Sequence, residues 1–142
     1  MGLTTDKGRM LLGRIDFGFS VGREKYLAIS VLLADDSQES QRAIRQLISL
    51  VGAVTDFSEA VLFAAMLRPD VVVLDLRMKD SQGLDAVGAS PQIILNGSTI
   101  IAISFSIDDD AKALARKIGA AKLLDKMNLY TELIPAILGL KK

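Results

Sequence analysis

The sequence predicts an α/β fold, a doubly wound parallel sheet with helices on both faces, and three observations carry that prediction. Between residues 28 and 142, short apolar runs alternate with helical segments five times. The runs are apolar throughout instead of every second residue, as in Val71-Val72-Val73-Leu74, which is the pattern of strands covered on both sides. Four of the five runs end abruptly in polar residues. In such sheets the carboxyl ends of the strands are where ligands bind.

Each element has a local cause. Ile29 to Ala34 is the first apolar run. Ile44, Leu47, Ile48 and Val51 then fall at i, i+3, i+4 and i+7, one face of a helix. Val54 to Phe57 reads as a short second strand, and Ser58-Glu59 opens a helix that Pro69 terminates near Leu67. After the third strand at Val71–Leu74 a weaker helical stretch covers Gly83 to Gly88. Thr99 to Ser104 is the fourth strand. Asp108-Asp109-Asp110 puts negative charge at the start of the fourth helix, where the helix dipole favours it. That helix uses Ala111, Leu114, Ala115 and Ile118, with Gly119 placed as its C-terminal cap. Ala121 to Leu124 forms the fifth strand and Leu129 to Leu138 the fifth helix, where Pro135 is expected to be tolerable only near the first turn.

Residues 1–27 differ in character and are expected to be an N-terminal extension to a domain spanning 28–142. They hold five of the 11 glycines and a net charge of +2. Leu11, Gly13, Ile15, Phe17, Phe19 and Val21 recur with strand period. A lone strand has no stability of its own. The segment is therefore either dispensable or an added edge strand or dimer contact.

Composition excludes several kinds of chemistry. With no cysteine and no histidine, disulfides, thiolate or imidazole metal sites and catalytic triads of this chain are ruled out. Seventeen basic residues balance 17 acidic ones, so no bulk charge favours nucleic acid or an anionic membrane. No apolar run is long enough to cross a bilayer and no secretory signal is evident, so a cytoplasmic location is expected. What remains is chemistry by carboxylates, lysine, hydroxyls and hard cations.

Such groups occur at the strand ends: Asp35-Asp36 after the first strand, Asp75 after the third, Ser104 after the fourth and Asp125-Lys126 after the fifth. Brought to one edge, three carboxylates would repel one another unless a cation joined them, and a hard ion such as Mg²⁺ suits oxygen donors. Taken singly, each has a plainer reading: Asp35-Asp36 as helix caps, Asp75 as a loop acid, Ser104 as a satisfied hydroxyl, Lys126 as a surface lysine. Taken together, in this order and with Met78 and Gly83 following Asp75, residues 28–142 resemble the receiver domain of bacterial two-component response regulators.

The resemblance implies a flavodoxin-like (CheY-like) sheet of order 2-1-3-4-5. It implies that Asp75 is a phosphoacceptor, attacking the phosphohistidine of a sensor histidine kinase or phosphotransfer protein, with Lys126 and Ser104 assisting. Mg²⁺ would be held by Asp35, Asp36, Asp75 and the backbone carbonyl of Arg77. Such a chain is a signalling domain and not an enzyme in the usual sense. On this resemblance it would act on a downstream protein or a second copy through the face of the fourth helix, fifth strand and fifth helix, and no binding of nucleic acid or membrane by this chain alone is expected.

Departures from the usual pattern bear on the switch. Leu123 stands where an aromatic is common, Met127 and Lys79 where proline is common, and the interval from Asp36 to Asp75 is short. Without a proline after Lys126, a cis peptide bond there is not expected. Relatives of this kind often carry a C-terminal helix-turn-helix domain, so both a stand-alone receiver and a part of a longer regulator are open. The alternative reading is a binding module of the same fold that needs no phosphorylation. A flavin carrier is disfavoured because Asp35-Asp36 would repel phosphate, and a haloacid-type phosphatase because Arg77 stands where its second acid belongs.

Overall fold

A computed structural model describes residues 29–78 and 97–140. Its elements are β1 (Val31–Ala34), α1 (Gln38–Leu47), β2 (Gly52–Val54), α2 (Phe57–Leu67), β3 (Val71–Asp75), β4 (Thr99–Ser104), α3 (Asp109–Lys117), β5 (Lys122–Asp125) and α4 (Leu129–Leu138). Here α3 and α4 are the fourth and fifth helices expected from the sequence. The expected helix at Gly83–Gly88 and the alternating segment at residues 11–21 lie outside the described residues.

The strands form one parallel sheet in the order β2-β1-β3-β4-β5. This is the doubly wound arrangement that the alternation of elements predicts. The apolar runs are continuous because successive side chains leave opposite faces and both faces are covered. Leu32, Ala34, Val72, Leu74, Ile100 and Ala102 face α2 and α3, packing on Ala60, Ala64, Ala111 and Ala115. Val31, Leu33, Val71, Val73, Ile101 and Ile103 face α1 and α4, packing on Ile44, Leu133 and Ile137. The register pairs Ala34 with Leu74, Asp75 with Ile103 and Ser104 with Asp125, so four strands finish along one edge.

Several boundaries move, each for a stated reason. The second strand is Gly52–Val54, not Val54–Phe57, because the following residues build the start of α2. Asp56 accepts a hydrogen bond from Glu59 N at 2.8 Å, and Glu59 reaches back to accept from Thr55 N at 3.0 Å. This reciprocal cap makes Phe57 the first helical residue, where Ser58 was expected. The fifth strand shifts by one residue to Lys122–Asp125. The first strand shortens to Val31–Ala34, and α1 ends at Leu47, leaving Val51 beyond the helix though still buried in the core.

Pro135 is the seventh of ten residues of α4 and not in its first turn. Leu133, Ala136 and Ile137 around it are buried, so tertiary packing outweighs the lost backbone bond. The end of α3 agrees with its glycine: Gly119 has φ +77°, its N–H donates to Arg116 O, and Ala120 N donates to Ala115 O. No peptide bond among the described residues is cis, Lys126–Met127 included.

On the face between the sheet and α1, Ile44 is the fully enclosed apolar side chain that α1 contributes. Ile44→Ala is expected to lower the unfolding free energy by about 2–5 kcal/mol, measured by urea denaturation.

Candidate functional site

The site grows from the turns that leave the sheet. At the end of β1, Asp35 is anchored at both its ends. Its N–H donates to Val54 O at 3.0 Å, which ties it to β2, and its carbonyl accepts from Gln41 Nε2 of α1 at 2.7 Å. Asp35 Oδ1 accepts from Ser37 N at 2.8 Å. The cap of α1 is Ser37, whose hydroxyl accepts from Ser40 N, so capping falls to neither Asp35 nor Asp36. At the end of β3, Asp75 Oδ1 accepts from Arg77 N at 3.0 Å, which aims the other oxygen across the strand ends.

Lys126 meets these acids from the short 3₁₀ turn between β5 and α4. The turn itself is capped by Asp125, which accepts from Met127 N at 2.9 Å. Lys126 Nζ lies 2.8 Å from Asp35 Oδ2 and 3.1 Å from Asp75 Oδ2. Its side chain is only 4% exposed, so the surface-lysine reading fails. Carboxylate oxygens of Asp35, Asp36 and Asp75 all lie within 4.8 Å of one another. The structure thus brings together Asp35, Asp36, Asp75 and Lys126.

Ser104 ends β4 fully enclosed. Its hydroxyl donates to Ser106 O at 3.0 Å and accepts from Ser106 N at 3.2 Å, a local turn that satisfies it. Arg77 turns its guanidinium outward, pairing with Asp108 at 3.2 Å. Asp108 is also the cap of α3, accepting from Ala111 N at 2.8 Å, and that bond leads in holding its carboxyl below the usual carboxylate range. Asp36, Asp75, Arg77, Ser104, Phe105 and Lys126 border an open cleft of about 310 Å³, so Asp75, though only 3% exposed, faces a way in from solvent.

The electrostatics are unbalanced: one ammonium serves two buried carboxylates, Asp35 and Asp75. Burial pushes the Asp35 carboxyl above its ordinary value, opposed by the nearby Lys126 ammonium and by the hydrogen bond from Ser37 N, and reinforced by the charge of Asp75. Asp35 Oδ2 is enclosed and, although Lys126 Nζ is near, no well-directed hydrogen bond reaches it. Three hard oxygen donors, one of them without a directed partner, fit a small divalent cation.

Comparison with known proteins agrees with this geometry. Residues 31–138 match the family model of the response regulator receiver domain. The chain belongs to this family. As a receiver of two-component systems it is 33% identical over 122 residues to the transcriptional regulatory protein LiaR of Bacillus subtilis, covering 80% of this chain and 56% of that protein. It is 31% identical over 114 residues to the transcriptional regulatory protein PdtaR of Mycobacterium tuberculosis, covering 75% and 54%. The receiver therefore spans about half the length of these relatives. The fold matches the receiver domain of NarL from Mycobacterium tuberculosis with TM-score 0.67 at 24% identity, covering 78% of this chain and 94% of that one. It matches the response regulator domain of Thermotoga maritima CheB with TM-score 0.66 at 23% identity, over the same shares. No helix among the described residues is long and apolar enough to cross a membrane.

Two residues of the receiver's site have no distinct sequence signal. Gln41 holds the Asp35 carbonyl, but a glutamine on an exposed-looking helix turn resembles any other. Phe105 borders the cleft beside Lys126, and in the sequence it reads only as the residue after a strand.

The raised Asp35 carboxyl gives a pH test. Its stabilising protonated form is fully present below about pH 3.8 and is lost as pH rises through the elevated value, so at neutral pH the fold carries the cost of a buried charge. Asp35→Asn removes that charge and leaves Asp75 to pair with Lys126. In metal-free buffer it is expected to raise Tm at pH 7 by roughly 4 °C, a gain that shrinks toward acid pH in thermal scans.

Proposed function

We propose that this receiver accepts a phosphoryl group on Asp75 from a phosphohistidine of a sensor kinase or phosphotransfer protein. The observation that carries the reading is the setting of the Asp75 carboxylate. One oxygen is fixed by Arg77 N at 3.0 Å, the other faces Lys126 Nζ at 3.1 Å, and the group opens on the cleft. A nucleophile held in this way needs alignment and charge neutralisation more than covalent assistance. An Asp75 oxygen forms the new bond to phosphorus while the phosphorus–nitrogen bond breaks, and the electron pair leaves with the partner's imidazole.

Asp35, Asp36 and Asp75, with the backbone carbonyl of Arg77, are the residues that would hold Mg²⁺. Bound there, the ion supplies charge neutralisation to the equatorial phosphoryl oxygens. Lys126 offers the chain's own positive charge to the same oxygens, and Ser104 a hydroxyl donor once its turn to Ser106 opens. The receiver unit on this reading is residues 28–142, it resides in the cytoplasm, and its output is a change in the face of α3, β5 and α4. That face would meet a downstream protein or a second copy.

Incubation with Mg²⁺ and a small acyl phosphate is expected to add one phosphoryl group by intact mass. Asp75→Ala should abolish the addition, and removal of the metal by a chelator should lower it by an order of magnitude or more. No mass change under saturating donor would contradict the proposal and favour a module that works without phosphorylation.

A further inference from the structure

Lys126 has a third neighbour besides its two carboxylates. The ring of Phe105 lies over the ammonium, with Nζ 4.9 Å from the ring centroid, within reach of the ring's negative face. Phe105 follows Ser104 directly at the end of β4 and is 59% exposed. Its ring borders two cavities. One is the cleft that contains Asp75. The other is a groove of about 180 Å³ between α1 and α4, lined by Glu39, Ser40, Ala43, Leu47, Leu129 and Tyr130. Lys126 borders both as well.

The aromatic expected on β5 is absent. Leu123 occupies its place and packs, partly buried, on the core facing α2 and α3, away from the face of α1 and α4. From the juxtaposition of Phe105, Lys126 and the two cavities, we propose that Phe105 is the side chain that reports which partner holds Lys126. While Lys126 is shared between Asp35 and Asp75, the ammonium also holds the ring at the mouth of the cleft. A phosphoryl group on Asp75 carries a charge near −2 and strong acceptor oxygens, and takes the ammonium. The ring, released from the cation, moves into this groove against Ala43, Leu47 and Leu129, where its exposed surface is covered. The state of Asp75 is thereby written on the surface between α1 and α4.

This inference rests on the acceptor role of Asp75, and the test separates the two. The chain contains no tryptophan, so Phe105→Trp introduces a single indole at the position in question. With Mg²⁺ already saturating, a small acyl phosphate is added while emission and intact mass are followed in the same sample. The expected result is a blue shift of the emission maximum that rises in step with the phosphorylated fraction and is lost in Phe105→Trp/Asp75→Asn. Without donor, Phe105→Trp/Lys126→Met should differ in emission from Phe105→Trp alone, since the cation under the indole is gone. Phosphoryl uptake with unchanged emission would overturn the role of Phe105 and leave the acceptor reading standing. Failure of phosphoryl uptake in the native chain would overturn both. Fluorophenylalanine labelling of the native sequence, with the Phe105 resonance identified by its loss in Phe105→Leu, gives the same comparison without the indole. A Phe105 resonance that does not move on phosphorylation contradicts the proposal.

Discussion

Everything at the functional edge follows from one electrostatic constraint: two buried carboxylates, Asp35 and Asp75, share one buried ammonium. Lys126 sits between Asp35 and Asp75, and its position decides which oxygen of each acid stays available. Charges so placed interact far more strongly than on an open surface, and the deficit of positive charge is correspondingly costly. The Asp35 carboxyl is raised chiefly by its burial, to which the charge of Asp75 adds. The arrangement is tense by construction: one ammonium stands between the two buried acids Asp35 and Asp75, beside a cleft open to solvent.

The rest of the fold works to hold this edge in register. Parallel pairing sets the ends of β1, β3, β4 and β5 beside one another, and complete burial of β1 and β3 forbids a slip of one residue, which would exchange the two apolar faces. Backbone contacts then fix what the register positions. Val54 O and Gln41 hold Asp35 from either side, and Arg77 N turns Asp75. Arg77 also reaches Asp108, so the loop that follows Asp75 and the start of α3 are joined across the cleft. A change of charge at Asp75 on the proposed reading would therefore be felt at Lys126, at its ring neighbour Phe105 and at the cap of α3.

The sheet was legible in the sequence because its signal is strong and non-local packing agrees with it. Val71-Val72-Val73-Leu74 can hardly be anything but a strand covered twice, and the polar residue that ends four of the five runs marks the edge. Asp35, Asp36, Asp75 and Lys126 were legible as a cluster for the same reason: topology brings strand ends together whatever the side chains do. Local competition was less legible. Thr55 and Asp56 have β character or loop character on paper, and only the reciprocal bonds with Glu59 decide that they precede and cap α2 instead of continuing β2. Asp35-Asp36 looked capable of capping α1, yet Ser37, one residue on, does so. Pro135 was expected near a helix start, and the burial of Leu133 and Ile137 carries the helix past it. The place of Phe105 over Lys126 depends on two loops meeting, which no periodicity records.

The claim on which the account turns is that the edge of the sheet is a pocket for one divalent cation, built by Asp35, Asp36 and Asp75. Titration of the native chain with Mg²⁺, followed through the backbone amide resonances, tests it most directly. The account predicts saturable one-to-one binding with the largest shifts at Asp36, Asp75 and Arg77, and none of comparable size at the opposite end of the sheet around Asp70. Shifts that never saturate, or that spread evenly over the acidic surface, would contradict it.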